Sequence, residues 1–105
     1  MKQVEFDPKA RVELDRAADE YEVDYPGRGL RFYSAVERAV ETAAATPTVG
    51  HRFPGVPDEL GVLRLLVKHF RYALAYRVVG EVLRIDAVAH TRRRPGYWLD
   101  RLDEE

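Results

Sequence analysis

Between Ala10 and Tyr25, the residues Ala10, Leu14, Ala17, Ala18, Tyr21 and Tyr25 recur at helical spacing, and the stripe stops at Pro26-Gly27. One apolar face repeating every three to four positions is the mark of a helix packed on a core. Asp7 is a good N-cap and Pro8 suits the first helical position, so the helix starts there. Leu30, Phe32, Tyr33, Val36, Ala39, Val40, Ala43 and Ala44 repeat the period, which predicts a second helix from about Gly29 to Ala45, ended by Thr46-Pro47. Two helices joined by so few residues run antiparallel, so the first half of the chain is a helical hairpin.

The second half switches period. Pro47 to Gly61 holds three Pro and three Gly and reads as a loop. Val62–Lys68, Tyr72–Val79 and Val82–Ala89 are rich in Val, Leu, Ile and Tyr and read as strands, with Gly80-Glu81 as a two-residue turn. Val4–Phe6 adds a short first strand, and His90–Glu105 a tail with a helical turn near Trp98. The order β–α–α–β–β–β predicts an α+β fold, an antiparallel helical hairpin on a small, mainly antiparallel sheet, as one domain over residues 1–105.

Charge is distributed unevenly. Eight cations (Arg64, Lys68, Arg71, Arg77, Arg84, Arg92, Arg93, Arg94) face only Glu81 and Asp86 between Val62 and Trp98, whereas the first 45 residues carry ten acids against seven cations. A basic C-terminal half on a chain of net charge −1 suggests an anionic partner for that half. With no Cys, thiolate metal sites and disulfides are excluded. His51, His69 and His90 lack metal-ligand spacing, no phosphate-binding Gly-rich loop is present, and Ser34, the sole Ser, lies in a predicted helix. No cofactor or metal is expected. The N-terminus has no signal-peptide pattern and no apolar run reaches membrane-spanning length, so the expected location is the cytoplasm, with no membrane partner.

Strand alternation points Leu83, Ile85, Ala87 and Ala89 toward the helices and leaves a polar face carrying two cross-strand rows, Arg64–Ala75–Asp86 and Lys68–Arg71–His90. The small Ala73 and Ala75 would leave that face open. His90 is a proton donor or acceptor near neutral pH. Arg71 and Arg64 are suited to forked bonds on a phosphate, which is what cleavage of RNA by its own 2′-hydroxyl requires. The ordinary alternative is a cross-strand ion pair and a solvated turn. Arg92, Arg93 and Tyr97 in the tail suit phosphates and unstacked bases, while Trp98, the only Trp, is expected to anchor the tail, with Arg101 folding back on an acid.

Three blocks of residues resemble the RelE/ParE superfamily of toxins from type II toxin–antitoxin systems. These are Phe6-Asp7-Pro8-x-Ala10 with the helices through Val36; Val62-Leu63-Arg64 with Phe70–Val78; and Ile85–His90 with Arg92-Arg93-x-Pro95-Gly96-Tyr97-Trp98-x-x-Arg101. The last block resembles the ending of a plasmid-stabilisation-type branch. The resemblance implies a cognate antitoxin, in a hetero-oligomer, and one of two targets. RelE-like members cut mRNA on the ribosome without a metal, and ParE-like members inhibit DNA gyrase. The first is the main expectation: an endoribonuclease with His90, Arg71 and Arg64 catalytic and Lys68, Arg92, Arg93 and Tyr97 binding RNA. Gyrase inhibition without catalytic residues is the alternative, and a non-toxic protein-binding module the second. Against cleavage, no Glu falls clearly on the polar face and the chain is not basic overall.

Overall fold

The computed structural model describes residues 2–103; Met1, Glu104 and Glu105, which the expected domain span includes, lie outside them. The elements follow the predicted order. Strand β1 covers Gln3–Phe6, helix α1 Pro8–Asp24, helix α2 Arg28–Ala45, strand β2 His51–Arg52, β3 Leu63–Leu66, β4 Tyr72–Val79 and β5 Val82–His90. A short 310 turn, Leu99–Asp103, ends the tail.

Helix α1 begins as expected. Asp7 is fully buried and its side chain accepts the Lys9 N–H, while Pro8 needs no donor partner. The helices then reverse within three residues. There the Glu22 carboxylate accepts the N–H groups of Gly27 and Gly29, which holds it below the ordinary carboxylate range. The buried faces are Ala10, Leu14, Ala17 and Ala18 on α1, and Gly29, Phe32, Val36, Ala39, Ala43 and Ala44 on α2. Small residues at the crossing let the two backbones approach.

The sheet has five strands in the order β1-β5-β4-β3-β2. β1 joins β5 in parallel, and the other pairs are antiparallel. The two-residue β2, inside the stretch read as loop, was not expected. Tyr76 holds this stretch to the sheet: its hydroxyl donates to the Pro47 carbonyl at 2.7 Å and accepts the Gly50 N–H at 2.9 Å.

Two features of the sheet depart from simple alternation. The turn at Gly80-Glu81 pairs Val79 with Val82 and Arg77 with Arg84 as predicted. Beyond it the register slips, because Tyr76 faces Ile85 but Ala75 faces Ala87. Asp86 is the extra residue of a β-bulge. Its carboxylate is fully buried and accepts the Arg77 Nε–H at 2.9 Å, with Arg84 at 4.0 Å, so the expected Arg64–Ala75–Asp86 row does not form. Past the bulge Val88, not Ala87, joins Leu83, Ile85, Leu74 and the helices in the main core. Ala87 instead turns to the other face, where a second core gathers Phe53, Val62, Ala75, Ala87 and the fully buried Trp98. The face expected to lie open is therefore filled, and the small side chains Ala75 and Ala87 are the space that the indole occupies.

Gly29 lies where α2 first crosses α1. A Cβ there would sit 2.8 Å from the Ala18 carbonyl oxygen, which is backbone and cannot swing aside. For Gly29→Ala, overpacking of about 1–3 kcal/mol opposes a helix-propensity gain of about 1 kcal/mol. The expected result is a lower Tm with the same helical circular dichroism. A Tm equal to wild type or higher would mean that the helices separate freely.

Candidate functional site

The tail returns across the end of the sheet because of one acid on α1. Glu13 lies within the turn that carries Ala10, Leu14 and Ala17, and is half-buried. One carboxylate oxygen accepts the Val88 N–H at 3.0 Å and an Arg101 N–H at 3.0 Å. The other accepts the Tyr97 hydroxyl at 2.8 Å and a second Arg101 N–H at 2.9 Å. Val88 needs this partner because β1 ends opposite Ile85, leaving the outer edge of β5 without a strand beyond it. Arg101 also donates to the Asp86 carbonyl at 3.0 Å. A forked arginine–carboxylate pair with both side chains largely shielded is a strong form of the interaction. A Glu within reach of the polar face was missed in the sequence. The available signal was an acid set among the buried positions of α1.

The seven predicted site residues separate into three groups. His90 ends β5 half-buried, with its ring edge-on to Tyr72 at 5.2 Å. Its Nδ1 accepts the Arg92 N–H at 3.1 Å, and its carbonyl accepts the Arg93 N–H. Arg64 on β3, opposite Ala75 as expected, lines with His90, Arg93 and Arg94 a concavity of about 30 Å³ beside Trp98. A second concavity, of about 110 Å³, lies between His90, Arg93, Tyr97 and Tyr72 on one side and Glu13, Arg16 and Glu20 on the other.

Arg71 and Lys68 are not in this group. The bulge places Tyr72, not Arg71, opposite His90, so the predicted Lys68–Arg71–His90 row does not form. Arg71 is exposed in the β3–β4 turn and meets the tail only through its carbonyl, which accepts the Thr91 N–H. The turn is wider than the two residues expected, spanning Lys68 to Arg71 between Val67 and Tyr72, with His69 at φ 73°. Lys68 lies on the helical side, in a groove beside α2.

Tyr97 is held in place rather than presented. Arg93 covers its ring at 3.6 Å, Arg101 lies 5.3 Å from its centre, and its hydroxyl is bound to Glu13. Burial, then the bond to Glu13, pushes the phenol above its ordinary value of 10.0. Arg92, Arg93 and Arg94 are exposed at the rim. Among the described residues no group of three or more His, Cys, Asp and Glu is placed to hold a metal ion, and no helix is long and apolar enough to cross a membrane.

Residues 4–95 match a family model described as the ParE toxin of a type II toxin–antitoxin system, parDE. No curated protein sequence matches the chain. A solved structure described as the chromosomal ParDE TA system from P. aeruginosa has the same fold. It superposes with a TM-score of 0.71 at 24% identity, over 86% of this chain and 96% of the other.

Tyr97→Phe keeps the ring under Arg93 but leaves Glu13 one donor short, at an expected cost of about 1 kcal/mol near neutral pH. The folded-state pKa of Tyr97 is raised, so its contribution is complete below about pH 10 and declines as the pH rises above that. Urea titrations of wild type and variant should therefore converge as the solution is made alkaline. A gap constant from about pH 8 to about pH 11 would show that the folded state does not raise the phenol's pKa.

Proposed function

The chain belongs to the ParE toxins of type II toxin–antitoxin systems, and from that premise we propose that it arrests growth by inhibiting DNA gyrase, kept in check by a cognate antitoxin. The observation that carries this reading is the filled sheet face. Trp98 and Phe53, ring centres 5.0 Å apart, occupy the surface on which an RNA-cleaving centre was expected.

What is left of that centre suits cleavage poorly. The concavity shared by Arg64 and His90 is shallow, about 30 Å³, with Trp98 and Pro95 in its lining. Of the two carboxylates near His90, Glu13 spends both oxygens on Val88, Tyr97 and Arg101, so it is not a free base, and Glu20 lies across the other concavity, away from Arg64. The expected catalytic trio is divided, with Arg71 outside the group. A chain of net charge −1 is also a weak match for the ribosome's phosphates. A protein target needs none of these groups. Inhibition by binding requires a folded surface, and the ordered sheet, tail and helical hairpin supply one. mRNA cleavage is the second reading, favoured by the gathering of Arg64, His90, Arg93 and Arg94 around one concavity.

The test is to induce the wild type and the His90→Ala/Arg71→Ala double variant without antitoxin, following thymidine and amino-acid incorporation over the first minutes. The purified protein is then added to a gyrase supercoiling assay. Early loss of DNA synthesis, kept in the double variant, with supercoiling blocked in the tube, is the expected outcome. Early loss of translation, relieved by the double variant, would overturn it in favour of RNA cleavage.

A further inference from the structure

Arg64, His90, Thr91, Arg93 and Arg94 line one shallow concavity beside Trp98, where the tail crosses the sheet, and no Asp or Glu shares that lining. The acids nearby, Glu13 and Glu20, line the neighbouring concavity instead. Arg64, Arg93 and Arg94 take part in no ion pair among the described residues, whereas Arg52, Arg77, Arg84 and Arg101, in the same half of the chain, are each paired with a carboxylate. His90 adds a donor. Its Nδ1 accepts the Arg92 N–H, so the neutral ring carries its proton on Nε2. Guanidinium, imidazole and hydroxyl donors gathered without a carboxylate suit an anion.

The backbone under these side chains is fixed. The Thr91 N–H donates to the Arg71 carbonyl at 2.9 Å and the Arg93 N–H to the His90 carbonyl at 3.0 Å, and the fully buried Trp98 anchors the far end of the same loop. Arg64 stands half-buried on β3, opposite Ala75. Arginines carried on a fixed backbone give up less freedom on binding than arginines on a loose tail.

We propose that this concavity seats a backbone phosphate of duplex DNA, so that the toxin grips the DNA on which gyrase works as well as the enzyme. The surroundings favour a duplex over an unstacked strand. Single strands are held by stacking bases on exposed rings, and no ring here is free for that. Arg93 covers Tyr97 at 3.6 Å, the Tyr97 hydroxyl is bound to Glu13, and Phe53 and Trp98 lie in the second core. A duplex turns its bases inward and offers phosphates along its outside, where a shallow seat is enough. With a net charge of −1 the chain has little charge for a long phosphate track, so one seat gives weak, salt-sensitive binding to free DNA. On an enzyme that already holds duplex DNA, the same contact becomes the second of two linked ones and adds to the affinity of the first. The arginine cluster thereby has a use that needs no cleavage chemistry. The inference rests on the gyrase reading for where the DNA is met, but not for the chemistry of the seat.

The probes are a labelled DNA duplex of mixed sequence and a single-stranded RNA of the same length, titrated with the free toxin by fluorescence anisotropy from low to rising salt. The site variant is Arg64→Ala/Arg94→Ala. Arg31→Ala/Arg38→Ala, on exposed positions of α2, removes the same charge elsewhere. The expected result for the site variant is duplex affinity lowered about tenfold and a salt dependence shallower by about 1 to 2 in log K per log salt. The α2 variant should stay within about twofold of wild type. Arg94→Glu, at an exposed loop position, repeats the test without touching the sheet, and circular dichroism checks each fold. Equal losses in the site and α2 variants, no duplex binding at low salt, or tighter binding of the RNA than of the duplex would each overturn the proposal. Supercoiling assays on the wild type are read separately. A toxin that binds duplex DNA through these arginines yet leaves gyrase active would sink the target reading and leave the seat standing.

Discussion

Glu13 joins the first helix to the end of the chain, and the second half of the fold depends on it. Its carboxylate accepts from the Val88 backbone, the Tyr97 hydroxyl and both terminal nitrogens of Arg101. Each donor would otherwise face a strand edge or a packed tail with no partner, and a buried donor left unpaired costs more than a typical bond gains. With the tail held by these bonds, Trp98 lies against Ala75 and Ala87, and Phe53 and Val62 complete a second core. The sheet is thereby buried on both faces, and a chain with only one hairpin of helices gains a second layer.

Closure of that layer also decides what the basic half of the chain can do. The cations predicted to line one open face are distributed to separate uses. Arg77 and Arg84 neutralise the buried acids Asp86 and Asp7, Arg101 is taken by Glu13, and Arg92, Arg93 and Arg94 stay at the rim. Burial raises the Asp86 carboxyl above its ordinary 3.8, against the pull of Arg77 and Arg84, so the bulge carries a real desolvation cost. What that cost sets is the register, which decides which side chains of β5 reach the helices.

Much of the fold was legible because its determinants are local. Asp7-Pro8, the stop at Pro26-Gly27, the two helical stripes and the Gly80-Glu81 turn each act within a few residues. The anchoring of Trp98 and the return of Arg101 onto an acid followed from side-chain chemistry alone. The bulge did not, because Asp86 leaves the ladder to reach Arg77 across the sheet, and strict alternation has no term for such a pull. One slipped residue was enough to put Tyr72 opposite His90 and to take Arg71 out of the expected site. β2 was missed because two residues among Pro and Gly carry no period. Of the candidate site, the sequence named Arg64, His90, Arg93 and Tyr97, which the fold does gather, but it did not see that Glu13 and Trp98 leave little space between them.

The topology has a consequence for when the protein exists at all. β1 and Glu13 precede their partners, Val82–Ile85, Val88, Tyr97 and Arg101, by 75 residues or more. Pairings so far apart in sequence form late, because the intervening chain must be closed first. While the chain is growing, the parallel β1–β5 pair has no second member and the tail has no anchor. Synthesis stopped anywhere before Val82 leaves a hairpin of helices with half a sheet. The folded sheet is therefore reached only once the segment from Val82 to Arg101 has been made.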